Sequence, residues 1–337
     1  MKYYILIIFF VILSINSISA DDILGKIDWK QWKSLPIQDR GRLKPLDSFA
    51  STLLFQFSGR TKLKVENKSL NASQWLFYTI FDENLANDYK IFLVENPDVM
   101  EHLGMPPTVA RGRYSYNELK EKIDLIRELT IKIAQIDKSE HTIVQTQILQ
   151  LYSNIEKFQS IVKTLGFIKK FDVVLPDIEK KLGKRSSLYD YLNYIKKNSN
   201  ESQESMPLLK KEFMQKMNLS YSKELIILKS ENFNWFSPWE AFLESSTSNK
   251  NNVILDNIIS LYLAYEEKNV EKLAENLNTL QAQTKSLVSP GEYKKISLEV
   301  RYNSHDPFFY ALIFSVLSMI LCSISWIGVQ KNKFYYF

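Results

Sequence analysis

The strongest constraint lies near the C-terminus, where Pro307 to Gln330 contains no charged residue and the 21 residues from Phe308 to Gly328 are almost entirely apolar. At 1.5 Å per residue a helix of that length crosses about 30 Å of hydrocarbon, and a buried core helix is ordinarily shorter. We expect a transmembrane helix over residues 307–329, followed by a short tail over 330–337. Lys331 and Lys333 follow the helix and His305 and Asp306 precede it. The positive-inside rule therefore puts the C-terminus in the cytoplasm and the body outside.

The other end agrees. Met1 to Ala20 carries one basic residue, Lys2, then an apolar run from Tyr3 to Leu13, then Ser17, Ser19 and Ala20. An apolar run that short, ending in small residues, has the layout of a secretory signal. Residues 1–20 are expected to be cleaved after Ala20, or else kept as an uncleaved anchor. Residues 21–306 then form a periplasmic domain tethered to a bacterial inner membrane.

Composition removes several classes of function. Nine glycines in 337 residues, with no GxGxxG or GxxxxGK[ST] string, leave nothing from which to build a phosphate-cradling loop. Between Asp21 and Pro307 there are 40 basic and 38 acidic residues, so the formal charge of +5 on the whole chain gives the body no broad electropositive face, and nucleic acid is not expected as a partner. The only cysteine, Cys322, lies in the apolar segment, so the body has neither a disulfide nor a thiol nucleophile. Without CxxCH no haem is held covalently. His102, His141 and His305 are far apart and outside any HExxH, so no metal site and no catalytic residue is nominated.

The periodicity of the body is mainly helical, with at most a small β element. A helix is expected from Asp47 or Ser48, as its cap, to Gly59. Others follow over 71–81, between Asn96-Pro97 and Gly104, over 254–265 and over 270–286. Ser115 and Glu118 have capping-box spacing. Apolar steps of three and four from Asn117 to Lys170 predict an antiparallel helical hairpin broken near Lys138 to His141. Leu225 to Leu228 is the clearest strand candidate, and Asn198 to Ser205 reads as a polar loop.

Two segments stand out chemically. In QDRGRLKPLD, Gln38 to Asp47, a loop shaped by Gly41 and Pro45 carries Asp39, Arg40, Arg42 and Lys44. Arg42 with Lys44 has the chemistry to hold a carboxylate in a fork, or the side chains lock the loop to its own domain through an ion pair with Asp47. In NWFSPW, Trp235 and Trp239 either stack on a flat ligand or pack internally around Pro238. His305, two residues before the membrane helix, is either an interfacial side chain or a ligand for exogenous haem at the outer surface. Trp29 and Trp32, three residues apart, read as a packed helix edge.

LPIQDRGRLKPLDSFA resembles the opening of the periplasmic region of the fused ResB-CcsA type of system II cytochrome c biogenesis protein, through Pro36, Gly41, Arg42, Lys44, Pro45, Leu46, Asp47 and Phe49. ENPDVMEHLGMPP with GRYSYNEL, NWFSPW, and LEVRYNSHDPFF are similar to later stretches of that family, in the same order. The resemblance implies a role in bringing haem across the membrane and joining it to apocytochrome c. Such proteins continue into several membrane helices with a tryptophan-rich haem segment. Either a CcsA-type haem-channel protein supplies that part as a separate partner, or the chain is a piece of a longer fusion. Haem is then reached through the partner, and this chain acts as an assembly and apocytochrome-docking module. Arg40 stands where the family tends to have glycine. The competing class is an extracytoplasmic sensor or ligand-binding module anchored by one helix; an envelope hydrolase needs a carboxylate pair that the sequence does not offer.

Overall fold

The computed structural model describes residues 27–65, 68–106, 111–169, 222–229, 234–243, 249–305 and 307–333, together with Ser187, Tyr189, Asp190, Met214 and Gln215. The expected signal segment, the loop from Asn198 to Ser205, and 334–337 of the tail lie outside these residues.

The fold is mainly α, with four two-stranded antiparallel sheets among the described residues. The chain enters through α1 (Trp29–Lys33) and a hairpin of β1 (Pro36–Asp39) and β2 (Arg42–Pro45). It continues through α2 (Leu46–Ser58), the hairpin β3 (Lys62–Val65) and β4 (Lys68–Asn71), α3 (Ala72–Phe81) and α4 (Glu83–Asp88). β5 (Phe92–Val94) pairs with β6 (Gly112–Tyr114) around α5 (Pro97–His102), and α6 (Tyr116–Leu119) leads into α7 (Ile123–Ile133) and α8 (Ile143–Val162). Later come β7 (Leu228–Lys229) paired with β8 (Trp235–Phe236), α9 (Pro238–Leu243), α10 (Asn249–Glu266), α11 (Val270–Lys285), α12 (Pro290–His305) and α13 (Pro307–Lys333).

Most of these elements form where local chemistry asks for them. Asn71 closes a reciprocal capping box with Gln74 at the start of α3, and Ser115 does so with Glu118 at α6. Gly59 ends α2 in the left-handed conformation, at φ 65°, which a side chain adopts only with strain. α7 and α8 form the expected antiparallel hairpin, with Lys138–Glu140 as a single 3₁₀ turn at its tip. Across it the Arg127 guanidinium reaches the Tyr152 hydroxyl at 3.4 Å.

Two expectations are corrected. α2 is not capped by Asp47 or Ser48: it begins at Leu46 behind Pro45, with no side-chain cap, because both side chains are drawn to other partners. Of Leu225 to Leu228 only Leu228 enters a strand, since Leu225, at φ 55°, breaks the extended run; the Ile226 carbonyl instead accepts from the Gln38 N–H at 2.9 Å.

The core centres on aromatic side chains of α2, α3 and α8. Phe57 meets Trp75 edge-on at 5.9 Å between ring centroids, and Phe92 meets Phe158 at 5.4 Å. Phe77 and Phe81 stack at 4.3 Å and receive Tyr262 and Tyr265 of α10, which fastens the C-terminal helices to the N-terminal half. Trp32 is buried, its indole N–H donating to the Ser73 carbonyl at 3.0 Å, so α1 packs as a helix edge. Each such side chain, fully buried, contributes on the order of 2–3 kcal/mol through apolar area removed from water.

α13 differs from every other helix among the described residues. Pro307–Trp326 is apolar and long enough to cross a membrane, and none of it is buried by the rest of the chain. A soluble domain does not ordinarily leave an apolar surface of this extent in water.

Candidate functional site

The QDRGRLKPLD segment is a β-hairpin rather than a loop. Its register pairs Ile37 with Lys44 and Asp39 with Arg42, leaving Arg40 and Gly41 as a two-residue turn. Both have positive φ, 52° and 77°, as a right-twisted hairpin with so short a turn demands. Arg40 thus occupies a left-handed position that glycine fills without strain.

The hairpin and the first turn of α2 are joined to α12 by a continuous polar chain. Arg42 Nη2 donates to Glu299 Oε2, and the Ser48 hydroxyl donates to Glu299 Oε1 at 2.6 Å. Asn303, one helical turn on from Glu299, donates through Nδ2 to Ser48 Oγ at 2.9 Å and to Asp47 Oδ2 at 3.1 Å. Ser73 Oγ donates to Asp47 Oδ1 at 2.7 Å, and Lys33 Nζ stands 3.8 Å from the same oxygen. Asp47 is 7% exposed, so its charge is stabilised by these donors rather than by water.

The two basic side chains of the expected fork serve different carboxylates. Arg42 takes Glu299, whereas Lys44 lies largely buried against Asp39, 2.6 Å from Oδ2. The fork is therefore not assembled, because each cation is already matched to its own acid. The internal lock exists, but with other partners than foreseen: Lys33, not Arg42 or Lys44, is the cation beside Asp47.

Beside this joint lies an open cleft of about 620 Å³. It is lined by Arg42 of β2, by Leu298, Glu299, Arg301, Tyr302, Asn303 and His305 of α12, and by Pro307 at the start of α13. His305 is exposed, and its ring Nδ1 lies 2.8 Å from the Arg301 carbonyl. With the proton on Nδ1 this is a donated hydrogen bond, and Nε2 keeps its lone pair. Arg42 and His305, more than 260 positions apart in sequence, thus share one cleft.

The tryptophan pair does not form a stacking platform. Trp239 is 1% exposed, edge-on to Phe167 at 5.2 Å, with its indole N–H donating to the Lys163 carbonyl. Trp235 is half-buried on β8, with Lys229 Nζ 5.4 Å from its ring centre. Pro238 starts α9 between them, burying Trp239 against Gly166 while Trp235 stays on the strand.

A second polar cluster lies at the far end of α3, remote in sequence from the cleft. The Tyr265 hydroxyl donates to Asp82 Oδ2 at 3.2 Å, and Lys169 Nζ donates to the Val162 carbonyl at 2.7 Å and stands 3.3 Å from Glu83 Oε2. Burial, reinforced by Asp82, pushes the Tyr265 phenol far above its usual range; burial with Glu266 does the same for Tyr262. Desolvation pulls the Lys169 ammonium down, with Glu83 opposing it. Among the described residues no group of three or more His, Cys, Asp or Glu side chains is arranged to hold a metal ion.

Glu299, Asn303 and Ser73 were not singled out by sequence reasoning, and Ser48 only as a helix cap; of these, Glu299 and Asn303 carried a signal for the site. Within LEVRYNSHDPFF, Glu299, Tyr302 and Asn303 are, with Pro307 and Phe308, the positions that carry the resemblance, and four-residue spacing puts Glu299 and Asn303 on one helix face. No protein-family model matches the chain, and no curated protein matches it.

Proposed function

We propose that the chain is a membrane-anchored, extracytoplasmic subunit of a system II cytochrome c assembly complex, serving as the module that docks apocytochrome c and a CcsA-type haem-channel protein. The observation that supports this most is the meeting of two distant motif segments. LPIQDRGRLKPLD and LEVRYNSHDPFF, the segments on which the family resemblance chiefly rests, are joined side chain to side chain through Arg42–Glu299, Ser48–Glu299 and Asp47–Asn303. Shared residues that exist to hold the membrane-proximal helix against the body are what a module needs if it is to present its surface at a fixed height above the bilayer.

In this reading the body faces the periplasm of a bacterium and the tail the cytoplasm. Thioether formation needs reduced CxxCH cysteines and haem held at the outer face; this chain contributes the surface, and the partner holds the haem. His305 and Arg42, which both line the cleft, are the side chains we assign to meeting that cargo or its carrier. Haem is cargo here, not a resident group.

The test is deletion of the gene in the native host, followed by haem staining of c-type cytochromes. Loss of covalently attached haem, restored by the wild-type chain, is the expected result. A full complement of c-type cytochromes in the deletion strain overturns the proposal and leaves an anchored sensor or ligand-binding module.

A further inference from the structure

The cleft beside α12 has a height as well as a shape. Its lining includes His305, the last residue of α12, and Pro307, where the apolar span begins, so one end of the cleft meets the head of that span. The polar band of a bilayer extends roughly 5–8 Å beyond the hydrocarbon on each side, and arginine side chains reach several ångströms along an interface. With α13 spanning a membrane, the end of the cleft lined by Pro307 lies at the level of lipid headgroups.

Its lining fits that depth. Leu298 and Tyr302 are 46% and 50% exposed, an apolar surface that water alone does not explain. Tyr302 meets Phe308 edge-on at 6.3 Å, and Phe309 and Tyr310 follow, so that surface is continuous with an aromatic belt at the head of the span. Arg42 is 67% exposed in its side chain, and only one of its donor nitrogens is engaged by Glu299. Arg301 is exposed and makes no ion pair among the described residues. Glu299 spends both carboxylate oxygens on Arg42 and Ser48. The cleft thus brings exposed apolar surface together with two guanidinium groups.

We propose that this cleft seats one phospholipid of net negative charge from the leaflet where α13 begins, its phosphate between Arg42 and Arg301 and its glycerol region on Tyr302, towards Phe308. The inference rests on α13 spanning a membrane, as in the function proposed above, but not on any role in cytochrome assembly. Planar, multidentate guanidinium groups suit phosphate better than lysine does, and each basic residue near an anionic surface is worth about fivefold in affinity.

The full chain is purified in mild detergent, exchanged with a mixture of phosphatidylglycerol and phosphatidylcholine, and examined by native mass spectrometry. Wild type is expected to retain one phosphatidylglycerol in preference to phosphatidylcholine. Arg301→Ala lowers that retention about fivefold, and Arg42→Ala with Arg301→Ala about 25-fold. The single variant alters an exposed side chain outside the polar joint, so it reports even if the double variant does not fold. Equal retention of the two lipids, unchanged retention in Arg301→Ala, or displacement by millimolar inorganic phosphate overturns the proposal, the last by making the site a small-anion site. A photo-cross-linker at Tyr302 in native membranes gives a lipid adduct if the proposal holds, and a polypeptide adduct overturns it. Alkaline carbonate extraction of the same membranes tests the anchor separately: a chain released by carbonate refutes the span itself, whereas a retained chain without lipid selectivity refutes only the lipid site.

Discussion

Replacing Asp47 by alanine tests whether the polar joint holds α12 to the body. The carboxylate is 7% exposed and accepts from Ser73 at 2.7 Å and from Asn303 at 3.1 Å, with Lys33 at 3.8 Å. A hydrogen bond to a charged group is worth about 1.5–3 kcal/mol. Asn303 and Lys33 reach water and recover part of their loss. Ser73 is fully buried, and its hydroxyl, left with no acceptor, adds about 1–2 kcal/mol of desolvation. The sum is about 3 kcal/mol for Asp47→Ala. Asp47→Asn keeps an oxygen for Ser73 and should lose about half as much. For a chain of this size, with about 2.1 cal/mol/K of unfolding entropy per residue, about 3 kcal/mol corresponds to a Tm lowered by roughly 4–5 °C. Thermal unfolding in detergent, followed by tryptophan fluorescence, measures it, while amide exchange over 298–305 reports whether α12 loosens first. A loss below about 1 kcal/mol, equal losses for the two variants, or unchanged exchange in α12 while Tm falls would each show that Asp47 does not pin the helix.

Trp239→Ala should destabilise by about 3–5 kcal/mol, whereas Trp235→Ala, on a half-exposed strand, should change stability by less than about 1 kcal/mol; chemical denaturation distinguishes them. Arg40→Gly should raise stability by about 0.5–1 kcal/mol, since glycine relieves the left-handed strain at φ 52°; a lower denaturation midpoint would mean that the Arg40 side chain contributes more than its backbone conformation costs. Tyr262 and Tyr265 have folded-state pKa values above the model-compound value of 10, so the folded state keeps protons that the unfolded state releases. Stability is therefore unaffected by this pair below about pH 10 and falls above it, by up to about 1.4 kcal/mol per pH unit for each tyrosine. Tyr265→Phe should flatten that alkaline fall, which unfolding curves between pH 9 and about 11.5 would register.

What was legible in the sequence was what depends on near neighbours. The start of a helix at Asn71, the capping pair Ser115 with Glu118, the stop at Gly59, and the break between α7 and α8 follow from spacing alone. The hairpin at Arg40 and Gly41 was not read as one, because two-residue turns are signalled by Asn-Gly or Asp-Gly and arginine at the first position hides the pattern. The separation of Trp235 from Trp239 depends on Phe167 and Gly166, about 70 residues away, and no local period carries that information. The same holds for the site. Arg42 and His305 were nominated individually, but their meeting across one cleft requires α12 to return to β2, a contact set by Glu299 and Asn303 more than 250 positions after the hairpin. Lys44 looked free for the same reason: its partner Asp39 lies five residues back, a spacing that faces away in a helix and comes diagonally close across a hairpin.

The central claim is that this chain is the docking subunit of a haem-handling complex. Its most direct test is purification of the tagged chain from native membranes in mild detergent, with the visible spectrum recorded and the co-purifying polypeptides identified. The account predicts a Soret band together with a multi-helix, tryptophan-rich membrane protein, both lost when Asp47→Ala frees α12. A colourless chain that purifies alone would contradict it.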